Sequence, residues 1–166
     1  MCATSSERRS PADARGFTLP ELIALLVVIG VLAAVALPKL DLGRPLRDEA
    51  WRDEVLAALR LARQTAVSHR RLVCVEVATD RVALRIAATH PASACTTALR
   101  GPDGGDDFAR APEGSTVTAS PAGPLYFQPS GRVTSDGAGS TAADLSLTFS
   151  GGAAAIGIVG ETGHVR

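Results

Sequence analysis

The chain has 166 residues, 17 Lys+Arg against 17 Asp+Glu and a formal net charge of zero. That length holds one domain with an appendage. The charge balance excludes a polyanion as the default partner, because nucleic-acid binding normally shows as a concentrated basic face.

Residues 1–16 hold Arg8, Arg9 and Arg15 against Glu7 and Asp13, a net charge of +1, which leaves 14 Lys+Arg and 15 Asp+Glu for the remainder. From Leu22 to Leu37 the sequence LIALLVVIGVLAAVAL has no charged or polar side chain. With Phe17 to Glu21 ahead of it the element reaches roughly 30 Å as a helix, enough to cross a bilayer. Pro20 lies near its start, where a helix tolerates proline, and Pro38 marks a stop. A secretory signal peptide accounts for the basic start and for Ala34-Val35-Ala36 as a small-x-small cleavage site. A plain membrane anchor accounts for the apolar run. Neither accounts for Glu21, since a carboxylate in hydrocarbon costs on the order of 3 kcal/mol without a partner.

The stretch Gly16-Phe17-Thr18-Leu19-Pro20-Glu21-Leu22, with Arg15 before it and the apolar run behind it, resembles the processing site of type IV prepilins and type II secretion pseudopilins. The resemblance implies cleavage by a prepilin peptidase between Gly16 and Phe17 and N-methylation of Phe17. It also implies an ion pair between Glu21 and the terminal amine of a neighbouring subunit, which low dielectric would make strongly attractive.

After Pro38, Gly43 and Pro45 in KLDLGRP predict a break. Residues 47–69 read as an amphipathic helix, with Trp51, Val55, Leu59, Ala62 and Ala66 at three- and four-residue spacing. LVCVEVA (72–78) alternates, and Thr79-Asp80 turns it into RVALRIA (81–87), a hairpin. Residues 88–114 read as irregular. Their Asp103, Asp106 and Asp107 are candidate calcium ligands, but the spacing fits no defined calcium loop and a solvated loop is the expectation. Short strands are expected within 116–137, and 145–152 and 154–166 close the chain as two more.

Cys2 lies in the leader, so its removal would leave the even pair Cys74 and Cys95, which suits an oxidising compartment. The pair is a candidate disulfide. The alternative is two unpaired thiols, with Cys74 a small apolar strand residue. The spacing matches no zinc motif, and the chain calls for no metal or cofactor. His69, His90 and His164 are far apart, and neither a Gly-x-Ser-x-Gly elbow nor a phosphate-binding Gly-x-x-x-x-Gly-Lys-Ser/Thr loop occurs. The expectation is a protein without catalytic activity.

LYFQPSGRV (125–133), IVGETGHVR (158–166) and Ala62, Arg63 and Ala66 as AR-x-x-A resemble the subfamily of the secretion minor pseudopilin H and the minor pilins FimT and FimU. The resemblance implies an α+β pilin-like fold, a long N-terminal helix packed on an antiparallel β-sheet domain. It divides the chain into a leader (1–16), a transmembrane and fibre-core helix (17–37) and a soluble domain (38–166), β-rich over 72–166. The function implied is that of a minor pseudopilin of the type II secretion system, a structural subunit near the tip of the pseudopilus. Partners would be other major and minor pilins or pseudopilins, the prepilin peptidase, an inner-membrane assembly platform and the secreted substrates. The chain would cross the bacterial inner membrane once, with its C-terminal domain in the periplasm. The alternative is a type IV pilus minor pilin that promotes pilus assembly or takes up DNA, with Arg132, His164 and Arg166 as candidate nucleic-acid contacts.

Overall fold

The computed structural model describes residues 18–36 and 43–166, in two compact units that divide between Asp41 and Leu42. In the first unit the apolar run forms α1 (Leu19–Ala36). Its start is fixed locally. The Thr18 carbonyl accepts the amides of Glu21 and Leu22 at 3.0 and 3.1 Å, and the Thr18 amide donates to Oε2 of Glu21 at 3.4 Å. The second contact is one half of a capping box, and Pro20 sits in the first turn, where its missing N–H leaves no bond unmade. Among the described residues no helix is long and apolar enough to cross a membrane. The 18 residues of α1 reach ~27 Å against the ~30 Å of a bilayer core. Phe17 and Leu37, the ends of the expected span, lie outside the described residues.

The second unit opens with α2 (Gly43–His69). It starts four residues before the expected 47, because Pro45 falls in the first turn and does not break the helix. Trp51, Val55, Ala58, Leu59, Ala62 and Ala66 are buried along one face, the stripe that the spacing predicts with Ala58 added. The helix ends at Arg70, a non-glycine residue with φ of 52°. There the Arg71 amide reaches back to the Ala66 carbonyl at 3.2 Å and closes the last turn.

Ten strands follow: β1 (Val73–Val77), β2 (Arg81–Ile86), β3 (Thr97–Leu99), β4 (Asp107–Arg110), β5 (Val117–Ser120), β6 (Leu125–Phe127), β7 (Val133–Thr134), β8 (Leu145–Phe149), β9 (Ile156–Val159) and β10 (His164–Val165). One antiparallel sheet runs β3-β2-β1-β6-β7, with β4 also pairing β2. A second runs β10-β9-β8-β5. The β1–β2 hairpin pairs Val73 with Ile86 and Val77 with Val82, as the alternation predicts. Two expectations need correction. Residues 88–114 are not wholly irregular, since β3 and β4 lie within them. The closing stretch 154–166 is a hairpin of two short strands, turned at Gly163.

A single core cluster joins α2 to both sheets. Trp51, Val55 and Leu59 from the helix meet Val73, Val75, Leu84 and Phe127 from one sheet and Leu147, Ile156 and Ile158 from the other. Trp51 stands edge-on to Phe149 with ring centroids 5.3 Å apart.

Candidate functional site

Three groups of residues carry the functional expectations, and the structure treats each differently. At the N-terminus, Gly16 and Phe17 lie outside the described residues. Glu21 is described and exposed in the first turn of α1, where one carboxylate oxygen takes the long bond from Thr18. The other oxygen has no hydrogen bond among the described residues, so the carboxylate keeps capacity for a cation. Residues 18–34 are all exposed. Ten large apolar side chains of α1, from Leu19 at 73% to Leu25 at 44%, are exposed.

Cys74 and Cys95 form a disulfide with Cα atoms 6.0 Å apart. Cys74 points away from α2, because its strand neighbours Val73 and Val75 fill the core face. The bridge ties the outer face of β1 to the segment between β2 and β3.

The third group lies at the C-terminal end of α2. The stretches 62–66, 125–133 and 158–166, far apart in sequence, converge here on Arg63. Its Nε donates to the Thr162 carbonyl at 3.3 Å. Gly131 (φ 87°) and Gly163 (φ 63°) turn the β6–β7 and β9–β10 connections directly beneath it. A Cβ on Gly163 would lie 3.1 Å from that nitrogen and would strike the Gly131 carbonyl. Both glycines therefore answer a positive φ, and Gly163 a close approach as well, which any side chain would disturb. The β7 amide of Val133 then bonds the Gly160 carbonyl at 2.7 Å, linking the two sheets.

Arg132, His164 and Arg166 are not gathered into one patch. Arg132 is held by Glu161, with Nη2 donating to Oε1 at 3.1 Å and Nε 3.0 Å from Oε2. His164 lines a groove beside α2 together with Arg60 and Arg63. Arg166 lies over a different depression, on the second sheet, with Asp144 and Gly157. The sequence reading missed Arg60 and the place of Arg63 on the groove. Their i, i+3 spacing, which puts both on one helix face, was the available signal.

The acidic loop is also partly satisfied from within. Asp107 takes Nη2 of Arg110 at 2.5 Å and lies 3.5 Å from Nε of Arg81, and Asp103 accepts the Gly105 amide at 2.9 Å. Among the described residues no group of three or more His, Cys, Asp or Glu could hold a metal ion. One carboxyl group shows a shifted titration. The backbone amide of Ser140, followed by that of Thr141, each at 3.1 Å, holds Asp136 below the ordinary carboxylate range.

The sequence model of the family described as "Type II transport protein GspH" matches residues 52–163. No curated protein matches the chain. Among solved structures, the minor pseudopilin EpsH from the type 2 secretion system of Vibrio cholerae superposes with a TM-score of 0.52 at 13% identity, covering 72% of this chain and 94% of that one. That likeness establishes a shared fold. The type IV minor pilin FimU of Pseudomonas aeruginosa gives a TM-score of 0.49 at 16% identity, covering 72% of this chain and 86% of that one.

Proposed function

We propose a function from one premise: the chain belongs to the GspH family of type II transport proteins. It is a minor pseudopilin of type II secretion, a structural subunit that assembles with other pilins in a pseudopilus. The observation that carries this is the family match over 52–163, a span that runs from within α2 through β9.

The finer steps follow from the residues. Cleavage after Gly16 leaves Phe17 as a methylated amino terminus, four residues from Glu21. The uncovered apolar side chains of α1 supply the drive for burial. Ten such groups, each about half exposed, gain on the order of 10 kcal/mol when covered. That exceeds the ~3 kcal/mol penalty for one carboxylate in hydrocarbon, so the helix enters the inner membrane with Glu21 in place. There the penalty remains as a demand for a cation, which the terminal amine of a neighbouring subunit meets. Pairing therefore fixes the axial register as subunits leave the membrane. The assembly platform and a separate ATPase would supply the force. The globular unit stays in the periplasm, where the Cys74–Cys95 bridge is stable, and meets other subunits and the exported proteins.

Deleting the gene and restoring it on a plasmid tests the role. Export of secreted proteins should fail and recover, with twitching and transformation unchanged. Loss of twitching or transformation with normal export would move the chain to a type IV pilus.

A further inference from the structure

We propose that the Cys74–Cys95 bridge is a redox clasp: it keeps the strap 87–96 docked on the 135–141 turn, and reduction lets strap and turn open together while both sheets stay folded. The strap joins β2 to β3, whose Ile86 and Thr97 face each other in register. Hairpin loops usually take about two to five residues, whereas this connection runs from 87 to 96. The extra length supplies reach. Within the sheet, β1 and β6 separate β2 from β7, and the strap passes both to meet the turn that follows β7. There the Ser93 carbonyl occupies the space in which a Cβ on Gly137 would stand. Gly137 is not in a positive-φ conformation, so its missing side chain answers the close approach alone. That is a sign, independent of the bridge, that the strap is seated on the turn.

Little else holds the strap down. Between Ala88 and Cys95 only Ala92 and Cys95 are half-buried, and the rest are exposed. Among the described residues no backbone hydrogen bond joins 88–94 to the rest of the chain. The nearest ones are at its roots, where the Ala87 amide donates to the Leu72 carbonyl at 2.9 Å and the Thr96 amide to the Ile86 carbonyl at 3.3 Å. A segment with so few buried contacts opens readily, and the bridge to β1 is what opposes that. The turn is held from within by other groups. Thr134 points away from the core that Val133 enters, yet it is fully buried, because the turn folds over it. Its Oγ1 donates to the Asp136 carbonyl at 2.7 Å and accepts Nε2 of Gln128 at 2.9 Å. Ser93 adds the contact from the strap.

Release takes two electrons and two protons, which a dithiol supplies by exchange. One of its sulfurs attacks the bridge to give a mixed disulfide, and its second sulfur then displaces the protein. The products are the oxidised reductant and free thiols at Cys74 and Cys95. In the reverse direction a disulfide of an oxidoreductase accepts the same electrons, so the strap is locked only after the chain has left a reducing compartment. The periplasmic reading enters only as the place where that oxidation happens.

Hydrogen exchange on the full chain in detergent micelles tests the clasp. The hydrogen-bonded amides to follow are Ala87 and Thr96 at the strap roots and Ser135 and Thr141 in the turn. In C74S/C95S, and in wild type treated with a dithiol, these four should exchange about tenfold faster than in the bonded chain. They should move as one group whose rate urea barely changes, because opening a strap and a turn exposes little surface. The β8 and β9 amides should remain slower and keep a strong urea dependence. Gly137→Ala with the bridge intact should free Ser135 and Thr141, while Ala87 and Thr96, beside the bonded Cys95, stay protected; that protection also shows the variant is folded. If the four amides accelerate only together with β8 and β9, the bridge is a brace for the whole unit and the proposal is overturned. Turn amides unmoved by loss of the bridge, or a Gly137→Ala turn that exchanges like wild type, would overturn it as well. None of these outcomes touches the export result of the deletion strain, so the two readings fall separately.

Discussion

Replacing both Cys74 and Cys95 by serine should lower the stability of the globular unit by about as much as a loop constraint predicts. The bridge closes a separation of 21 residues. In the chain-entropy account, cross-linking a loop of that size removes ~3 kcal/mol of unfolded-state freedom. Unit 2 runs from Leu42 to Arg166, and a domain of that size has an unfolding entropy for which ~3 kcal/mol shifts Tm by roughly 10 °C. The β1–β2 hairpin and the core contacts of Val73 and Val75 survive the substitution, so the fold should persist with a lower midpoint. The assay is thermal unfolding of residues 42–166 by circular dichroism, for the wild type with and without reductant and for the double serine variant. Reductant should bring the wild type down to the variant and leave the variant unmoved. Equal midpoints for all three samples would refute the assignment of stability to this bridge.

Three further outcomes follow from local geometry. Arg70→Gly should raise stability by ~1 kcal/mol, since a left-handed residue with a Cβ costs about that much; a lower urea midpoint would show that the Arg70 side chain does more than end the helix. Asp136 stabilises the 136–141 turn only when ionised. Its pKa is lowered in the folded state, so its contribution is complete above the unfolded value of ~3.9. It disappears as the pH falls through the lowered folded value. Asp136→Asn should flatten stability in that acid window, and identical acid titrations of wild type and variant would contradict the sign. Glu21→Leu should keep processing and membrane insertion while incorporation into sheared fibres drops severalfold; undiminished incorporation would remove the assembly role from this carboxylate.

How much of this was legible in sequence depends on the length of the signal. Trp51, Val55, Leu59, Ala62 and Ala66 repeat over about four turns, so α2 and its buried face could be read directly. Val73, Val75 and Val77 alternate within one strand, and the β1–β2 hairpin followed. β3 and β4, by contrast, are Thr-Ala-Leu and Asp-Phe-Ala-Arg. Stretches so short have no period, and only their pairing with β2 makes them strands. The candidate site divides in the same way. Glu21 stood out because a charge in an apolar run has few explanations, although its local bond to Thr18 emerged only from the helix start. Arg132 looked available because Glu161, its partner, is 29 positions away. Arg60 and Arg63 looked like ordinary solvated charges. They become a groove only when the turns at Gly131 and Gly163 fold against them.

Assembly as proposed depends on one event, the conversion of Phe17 into the first residue of a fibre subunit. Mass spectrometry of the chain isolated from the inner membrane measures it directly. The expected mature amino terminus is N-methylated Phe17. A chain that still starts at Met1, or one that starts at Leu37 after signal-peptide cleavage, would contradict it.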